Sequence, residues 1–500
     1  MMVERLQSKQ HRHRMRRHYY DGTNALKDLG ISTPPSLRNL DVALGWPAKA
    51  VDSLSKRVNL EGFVIPGHSI EDFGVDEIFR DNRLAVEAPQ IHTSAFIHST
   101  SFLATLRGDP AFGEPDVLIQ SFNATQATGL WQPSTRSLGA ALLVLNSDST
   151  GPTRMVVIFP HVVYSIWKTG STYGWEVSSI PNTLGFVPVE PVAFQPRLDR
   201  PFGQSRVSRA VMSLTDSAMR TVIRAEVGAE FFSAPQRYLL GADEDMFMDE
   251  NNNPTSGWSF LTNRLLAVPT NEEGEKPEIG QFSQISMQPH SDQMRMWSQL
   301  FASETSLPVG SLGIVQDNPS SAEAIHAVKE DLLILAESAM DGFSPAWVRS
   351  MQTAVQLREG LVTLPAELNK LSVRWRDPST PSRAQATDAT MKLVAAGVIP
   401  ATSEIALEMV GLSQTDIERI ISERQREAAP KILDSILNRT PQSDPEQAVK
   451  ETAILKNKAD ALGLLRRAGV TAEAAAKQVG LEGLEFIPGN PITIKVPEDN

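Results

Sequence analysis

The chain contains no cysteine, which excludes disulfides and thiolate metal sites and fits assembly in a reducing cytoplasm. No apolar run approaches the ~20 residues needed to span a bilayer, and the basic N-terminus lacks the apolar segment that a secretory signal requires. Positive charge is in deficit: 47 Lys and Arg against 59 Asp and Glu leave a net charge of −12. Static DNA binders draw affinity from phosphate neutralisation and usually carry a basic excess, so this balance speaks against one.

Catalytic signatures are missing as well. No GxxxxGK[ST] phosphate cradle occurs, Gly203-Gln204-Ser205-Arg206-Val207 lacks the second glycine of a GxSxG elbow, and no dinucleotide fingerprint follows a strand. Asp249, Asn251 and Asn253 have the spacing of a calcium loop. Pro254 stands where the turn needs glycine, however, and Phe260 where a bidentate Glu is needed. His92 and His98 are too far out of phase to share a helix face, and no HExxH accompanies them. Acidic pairs such as Asp243 and Asp245 sit in polar sequence, where solvation is the default. No catalytic residue, metal site or cofactor is expected; an enzyme without recognisable motifs is the alternative from that class.

What is present is a globular composition, 41% hydrophobic, in a chain of 500 residues, enough for about two to four structural regions. Residues 1–20 are a basic arm (Arg5, Lys9, Arg12, Arg14, Arg16, Arg17) with His11, His13 and His18 interleaved. A solvated, partly disordered terminus is expected there, with contact to nucleic acid or an acidic partner as the alternative. Pro47 suits the first turn of a helix carrying Val51, Leu54 and Val58. Ile91 to Leu106 reads as a helix or as two short strands. From Asp116 to Phe194 the pattern becomes β-type, with Leu138–Leu145, Arg154–Phe159, Val162–Lys168 and Trp175–Val177 as strands of an antiparallel meander.

A long helix follows from Ser205 to about Phe231, with Val207, Val211, Leu214, Ala218, Val222, Ala225 and Ala229 on one flank. Arg206, Arg209, Arg220 and Arg224 lie off that flank, where a solvated face is expected. After an irregular acidic stretch comes the central element. A helix from His290 to Thr305, with Ser291 as its N-cap, leads into a loop whose only charge is Asp317. A capping box at Ser320, Ser321, Ala322 and Glu323 then opens a longer helix, with a break expected at Asp341–Pro345. A loop of this length between helices exceeds the roughly 2–8 residues usual there, which points to a task of its own. Leu361 to Trp375 is expected to cross into a small helical region. There Asp388–Val398 is echoed by Asp460–Val470, as two copies of a helix–turn–helix-like unit.

Leu307, Pro308, Val309, Gly310, Ser311, Leu312 and Gly313, followed by Asn318, Pro319, Ser320, Ser321, Ala322, Glu323 and Ala324, resemble the portal (head-to-tail connector) proteins of long-tailed bacteriophages, particularly those infecting actinobacteria. Gly45-Trp46-Pro47, Gly185-Phe186-Val187-Pro188, Gly203-Gln204-Ser205 and the run Pro235, Gln236, Arg237 carry the same resemblance. It implies an α+β portal fold assembled as a ring, a dodecamer in that family. The implied parts are a β-containing wing over residues 21–204, a stem helix over 205–232, a clip over 233–288 and a second stem helix over 289–305. A tunnel loop over 306–319, a kinked wing or channel helix over 320–358, a helical crown over 359–430 and a C-terminal repeat and extended tail over 431–500 complete the order. In such a protein Leu307 to Ile314 would face the DNA channel, and Arg220 and Arg224 are candidates for facing DNA. Implied partners are further copies of the chain, double-stranded DNA in transit, the terminase large subunit, a head-tail adaptor, and the major capsid and scaffolding proteins. No membrane is implied; the place is the capsid portal vertex of a virion assembled in the host cytoplasm. A minor head or capsid-assembly protein without a channel is the nearest alternative.

Overall fold

The basic N-terminal segment forms a helix, α1 (Met2–Asp21), in the computed structural model of the chain. This corrects the expectation of a solvated terminus. Leu6 is buried with Leu142, Val144 and Met155, and Met2 and Val3 pack beside it. At the other end the Tyr19 hydroxyl donates to Asp216 (2.9 Å) and the Tyr20 hydroxyl to Asp52 (2.9 Å). So mostly polar a helix gains its order from tertiary partners rather than from its own propensity. The structure describes residues 1–26, 42–68, 70–169, 174–232, 237–240, 278–281, 286–313, 322–379, 383–412 and 416–424, with isolated helical positions beyond. They fall into two compact units, Met1–Thr380 and Pro381–Asn500.

In the first unit, α2 (Trp46–Ser55) has Pro47 in its first turn, where a missing N–H costs nothing. β1 (Leu60–Val64), α3 (Val75–Asp81), α4 (Leu84–His98) and β2 (Thr100–Arg107) follow. Ile91 to Leu106 is therefore a helix and then a strand, joined at Ser99 with φ +90°. The next strands are β3 (Val117–Asn123), β4 (Ala127–Gln132), β5 (Ser137–Asp148), β6 (Gly151–Ile158), β7 (Val162–Lys168), β8 (Trp175–Pro181) and β9 (Val189–Ala193). β2 sits between β3 and β9 in an antiparallel sheet, and β4 to β8 form the five-stranded meander.

Strand β5 explains why these layers hold together. Its side chains alternate, so Ala141 and Leu143 enter a core with Phe102, Phe122 and Ile158, while Leu142 and Val144 meet Leu6 of α1 on the opposite face. A strand covered on both faces reads as an unbroken apolar run, as Leu138 to Leu145 nearly does.

The chain then enters α5 (Arg209–Phe232), passes through β10 (Arg237–Leu240) and β11 (Glu278–Gln281), which pair antiparallel, and returns through α6 (Gln288–Thr305). Helix α7 (Ala322–Glu359) runs on without interruption through Pro345, which corrects the expected break. An internal proline removes one hydrogen bond at a cost of about 3 kcal/mol. Around it Phe343, Trp347, Met351 and Val355 are all fully buried, and burying such side chains contributes about 1.5–3 kcal/mol each. The packing outweighs the break. These residues form the main core together with Leu54 of α2, Phe96 of α4 and Phe301 of α6.

A third correction concerns Leu361–Trp375. The segment stays with the first unit: its strand β12 (Ser372–Trp375) pairs antiparallel with β1, Phe63 opposite Val373, and Trp375 Nε1 donates to Ser344 Oγ at 2.9 Å. The second unit contains α8 (Arg383–Ala395), α9 (Glu404–Met409) and a helical stretch over 416–424. Ser403 Oγ caps α9 by accepting from Ala406 N–H (3.2 Å), and Ile417 is buried. The second copy of the repeat, Asp460–Val470, lies mostly outside the described residues.

Candidate channel loop and the helices that hold it

Helices α5 and α6 are antiparallel neighbours. Ser208 Oγ donates to Glu304 (3.3 Å) near one end, Trp297 Nε1 donates to Thr221 Oγ1 (3.1 Å) midway, and Gly228 lies near Met287 and His290 at the other end. The β10–β11 ladder continues from that far end. α6 begins at Gln288 with Pro289 in its first turn, so Ser291 is inside the helix and not its N-cap. The buried face of α5 also departs from the expected flank. Val211 and Ala218 are buried as expected, but Thr215, Met219, Ile223 and Val227 join them, while Leu214, Val222 and Ala225 are half-buried and Ala229 is exposed. Arg220 is half-exposed and Arg224 exposed on this helix.

At the near end the two helices are fastened by one side chain. Arg206, expected on a solvated face, is buried: its Nε donates to Ala50 O of α2 (2.7 Å) and its Nη2 to Thr305 O, at the C-terminus of α6 (2.5 Å). Burial lowers its pKa to about 10, which leaves it charged at neutral pH. A cation at a helix C-terminus meets the negative end of the dipole, and the orphan carbonyls there need donors. The sequence hid this role, because an arginine just before a helix reads as surface.

The residues ahead of Arg206 set its position. Gly203 adopts φ +67°, and a Cβ there would lie 2.1 Å from the Phe194 carbonyl oxygen, so only glycine fits. Ser205 Oγ donates to Ile97 O at 2.6 Å, and Arg206 N–H donates to Phe96 O at 2.8 Å, both at the end of α4. Gly203, Ser205 and Arg206 thus join α2, α4, α5 and α6 at one point.

The loop starts from that joint. Ser306 turns left-handed (φ +51°), Leu307 N–H donates to Ala302 O (3.0 Å) and Ser306 N–H to Ser303 O (3.5 Å). This is a Schellman closure of α6 with serine in the place usually taken by glycine. Leu307, at the position that supplies the apolar contact in such closures, is buried in the main core together with Phe301. Of the residues expected along the channel, Leu307 therefore faces the chain's own interior. Pro308 leads into a short 3-10 turn, Val309–Leu312, closed by Gly313 at φ +86°. Leu312 is half-buried against the core, Pro308 and Val309 are half-buried, and Gly310, Ser311 and Gly313 are exposed. Ile314, Asn318, Pro319, Ser320 and Ser321 lie outside the described residues, as do Pro235 and Gln236. Ala322 and Glu323 open α7, and Arg237 opens β10.

The two histidines considered as metal ligands have other partners. His92 is fully buried, its Nδ1 lies 3.0 Å from Val58 O, and its Nε2 accepts from Trp347 Nε1 at 3.0 Å. Only the neutral ring protonated on Nδ1 satisfies both contacts, and burial lowers its pKa to about 4. His98 packs edge-on against His13, with ring centroids 5.3 Å apart.

Residues 4–430 match the family model described as phage portal protein, SPP1 Gp6-like. The chain is similar to the portal protein of Mycobacterium phage D29, at 29% identity over 426 residues, covering 82% of this chain and 84% of the relative. It is similar also to the portal protein of Mycobacterium phage L5, at 28% over 389 residues, covering 76% of this chain and 79% of that one. Among solved structures it resembles a chain in the neck of a native GTA particle computed with C12 symmetry. That match has a TM-score of 0.40 and 12% identity, over 73% of this chain and 89% of the other. A chain in the neck of an empty GTA particle, computed with C6 symmetry, gives a TM-score of 0.41 and 11% identity over 74% and 90%. The match to the portal model over most of the chain, together with two portal relatives aligned along most of their length, makes this chain a member of the SPP1 Gp6-like phage portal protein family.

Proposed function

We propose that the chain is one subunit of a ring, dodecameric as in its family, at one vertex of the capsid. DNA enters through the ring, driven by a separate terminase ATPase, and leaves through it into the tail. The subunit's own contribution is structural, not catalytic. The β10–β11 end of the α5–α6 pair, with residues 241–277 between its strands, is the clip that meets the terminase and later the head-tail adaptor. Residues 306–319 are the tunnel loop, anchored in the core at Leu307, and α7 carries it back to the core. Major capsid and scaffolding proteins surround the outer wing, and assembly takes place in the host cytoplasm.

The observation that carries this reading is the closure of α6 at Ser306. It anchors Leu307 in the core and presents Gly310, Ser311 and Gly313 outward from a charge-free turn. A loop whose only charge is the acidic Asp317 makes only weak contact with a phosphate backbone, where a ring of arginines would set up deep ion-pair traps. The first test is imaging of the purified full chain by negative stain, where rings with a central hole are expected and a monodisperse monomer would refute the assignment. The second is Val309→Arg or Ser311→Arg in a packaging assay. Slower translocation with normal ring assembly is expected, and unchanged kinetics would count against a DNA-facing loop.

A further inference from the structure

Arg5, Lys9, Arg12 and Arg16 recur on one face of α1 at helical spacing, with Arg5, Lys9 and Arg16 half-buried and Arg12 exposed at the rim. This face forms one wall of a cavity of about 360 Å³, bounded on the other side by the turn Asp199–Gln204 and the start of β4. Arg200 adds a fifth cation, against a single carboxylate, Asp199, among the described residues. That carboxylate is already shared between Arg197 (3.4 Å) and Arg200 (3.5 Å). Arg5 and Lys9 both lie over the Phe202 ring, 5.3 and 5.5 Å from its centroid, an arrangement that partly offsets positive charge where no anion is at hand. In a chain with a net charge of −12 this concentration of cations runs against the overall balance.

A second, independent feature points the same way. His13 lines the cavity, is 5% exposed, and its Nδ1 has no hydrogen-bond partner among the described residues. A buried polar atom left without a partner is costly, and such atoms in native structures commonly mark a ligand. Burial and the neighbouring His98, Arg16, Lys9 and Arg12 hold His13 neutral, with a pKa lowered to about 3. The neutral ring carries one N–H and one lone pair, and with the proton on Nδ1 it would offer that N–H to a bound group.

We propose that this cavity binds a phosphate-class oxyanion carried by a nucleotide unit, either a free mononucleotide or one phosphodiester link of a polynucleotide. Four of the five cations are arginines, whose planar forks suit phosphate oxygens. The surplus of positive charge exceeds what one carboxylate neutralises. The volume is more than a lone phosphate fills and falls in the range of small-molecule sites. Apolar lining from Leu6, Phe102 and Phe202 suits a sugar or base beside the phosphate. The site is remote in sequence from the loop at 306–319, and it stands or falls independently of the portal assignment.

The test is calorimetric titration of the full-length chain with inorganic phosphate, dAMP, an eight-residue oligothymidylate and a hexaglutamate peptide at low salt. Saturable binding is expected at one site per chain, tighter for dAMP or the oligonucleotide than for phosphate. Competition of dAMP with the oligonucleotide, together with a higher affinity for the latter, assigns the phosphodiester source; a preference for dAMP assigns the free nucleotide. The double variant Arg12→Gln, Arg200→Gln removes two exposed side chains and should weaken binding by about tenfold or more. Arg14→Gln, exposed on the same helix but outside the cavity, should stay within about twofold. Absence of saturable binding to every phosphate probe, equal losses in the cavity and Arg14 variants, or binding of hexaglutamate alone overturns the proposal, whatever the imaging of rings shows.

Discussion

Acidification should loosen the first unit through its neutral histidines, and His92 allows the effect to be isolated. The buried ring has a pKa lowered from 6.5 to about 4, so between those values the unfolded chain takes up a proton that the folded chain refuses. Stability held by His92 is fully present above the unfolded value and drains away as the pH falls toward the folded one. Taking the pH from 7 to 5 should cost about 2 kcal/mol at this residue alone. His98, also lowered to about 4, and His13, lowered to about 3, act with the same sign. Glu190 acts the other way. Burial raises its carboxyl to about 7 despite Arg349 at 3.5 Å, so its contribution grows as the pH falls below 7 and offsets about one histidine. The measurement is urea unfolding at pH 7 and pH 5, followed by tryptophan fluorescence because Trp347 donates to the His92 ring. In His92→Gln the stability at pH 7 drops, but its loss between the two pH values should be about 2 kcal/mol smaller than in the parent chain. Equal pH-dependence in the two proteins would refute the assignment of a neutral, buried His92.

Two further substitutions probe the joint between helices. Arg206→Met leaves the Thr305 carbonyl at the end of α6 without its charged donor and should cost about 2–4 kcal/mol, read as a lower Tm by calorimetry; an unchanged Tm would show that the guanidinium fastens nothing. Gly203→Ala forces a Cβ to within 2.1 Å of the Phe194 oxygen at φ +67° and should cost more than about 1 kcal/mol, read as a lower urea midpoint.

The parts of this fold that the sequence announced are those whose signal is local. β7 spans Val162–Lys168 as its pattern of Val, Tyr, Ile and Trp between turn residues predicted, and the meander around it follows from similar runs. What stayed hidden depends on partners far along the chain. Leu6 and its few apolar neighbours hold one end of α1 and Tyr19 and Tyr20 the other, and the strand that Leu6 covers lies more than a hundred residues away. β12 is four residues long and is a strand because β1 waits for it across roughly three hundred residues. Pro345 signals a break by every local rule, yet the buried Phe343 and Trp347 on either side keep α7 whole. At the loop, the flanking helices and the family words were readable. The closure of α6 was not, because Ser306 takes the left-handed position where a glycine would have advertised it. Arg206 was misjudged for a related reason: sequence alone does not say which of several arginines meets a carbonyl.

Leu307 has a mechanical consequence. Because its side chain is buried in the main core with Phe301 while Gly310 and Gly313 have nothing packed against them three and six positions on, the hinge of the segment lies beyond the bolt. A sideways tug on the tip is absorbed first by rotation about the glycine backbone. Only a pull strong enough to straighten that hinge reaches the leucine, and from there the strain passes into the interior of the subunit instead of peeling back the helix it ends.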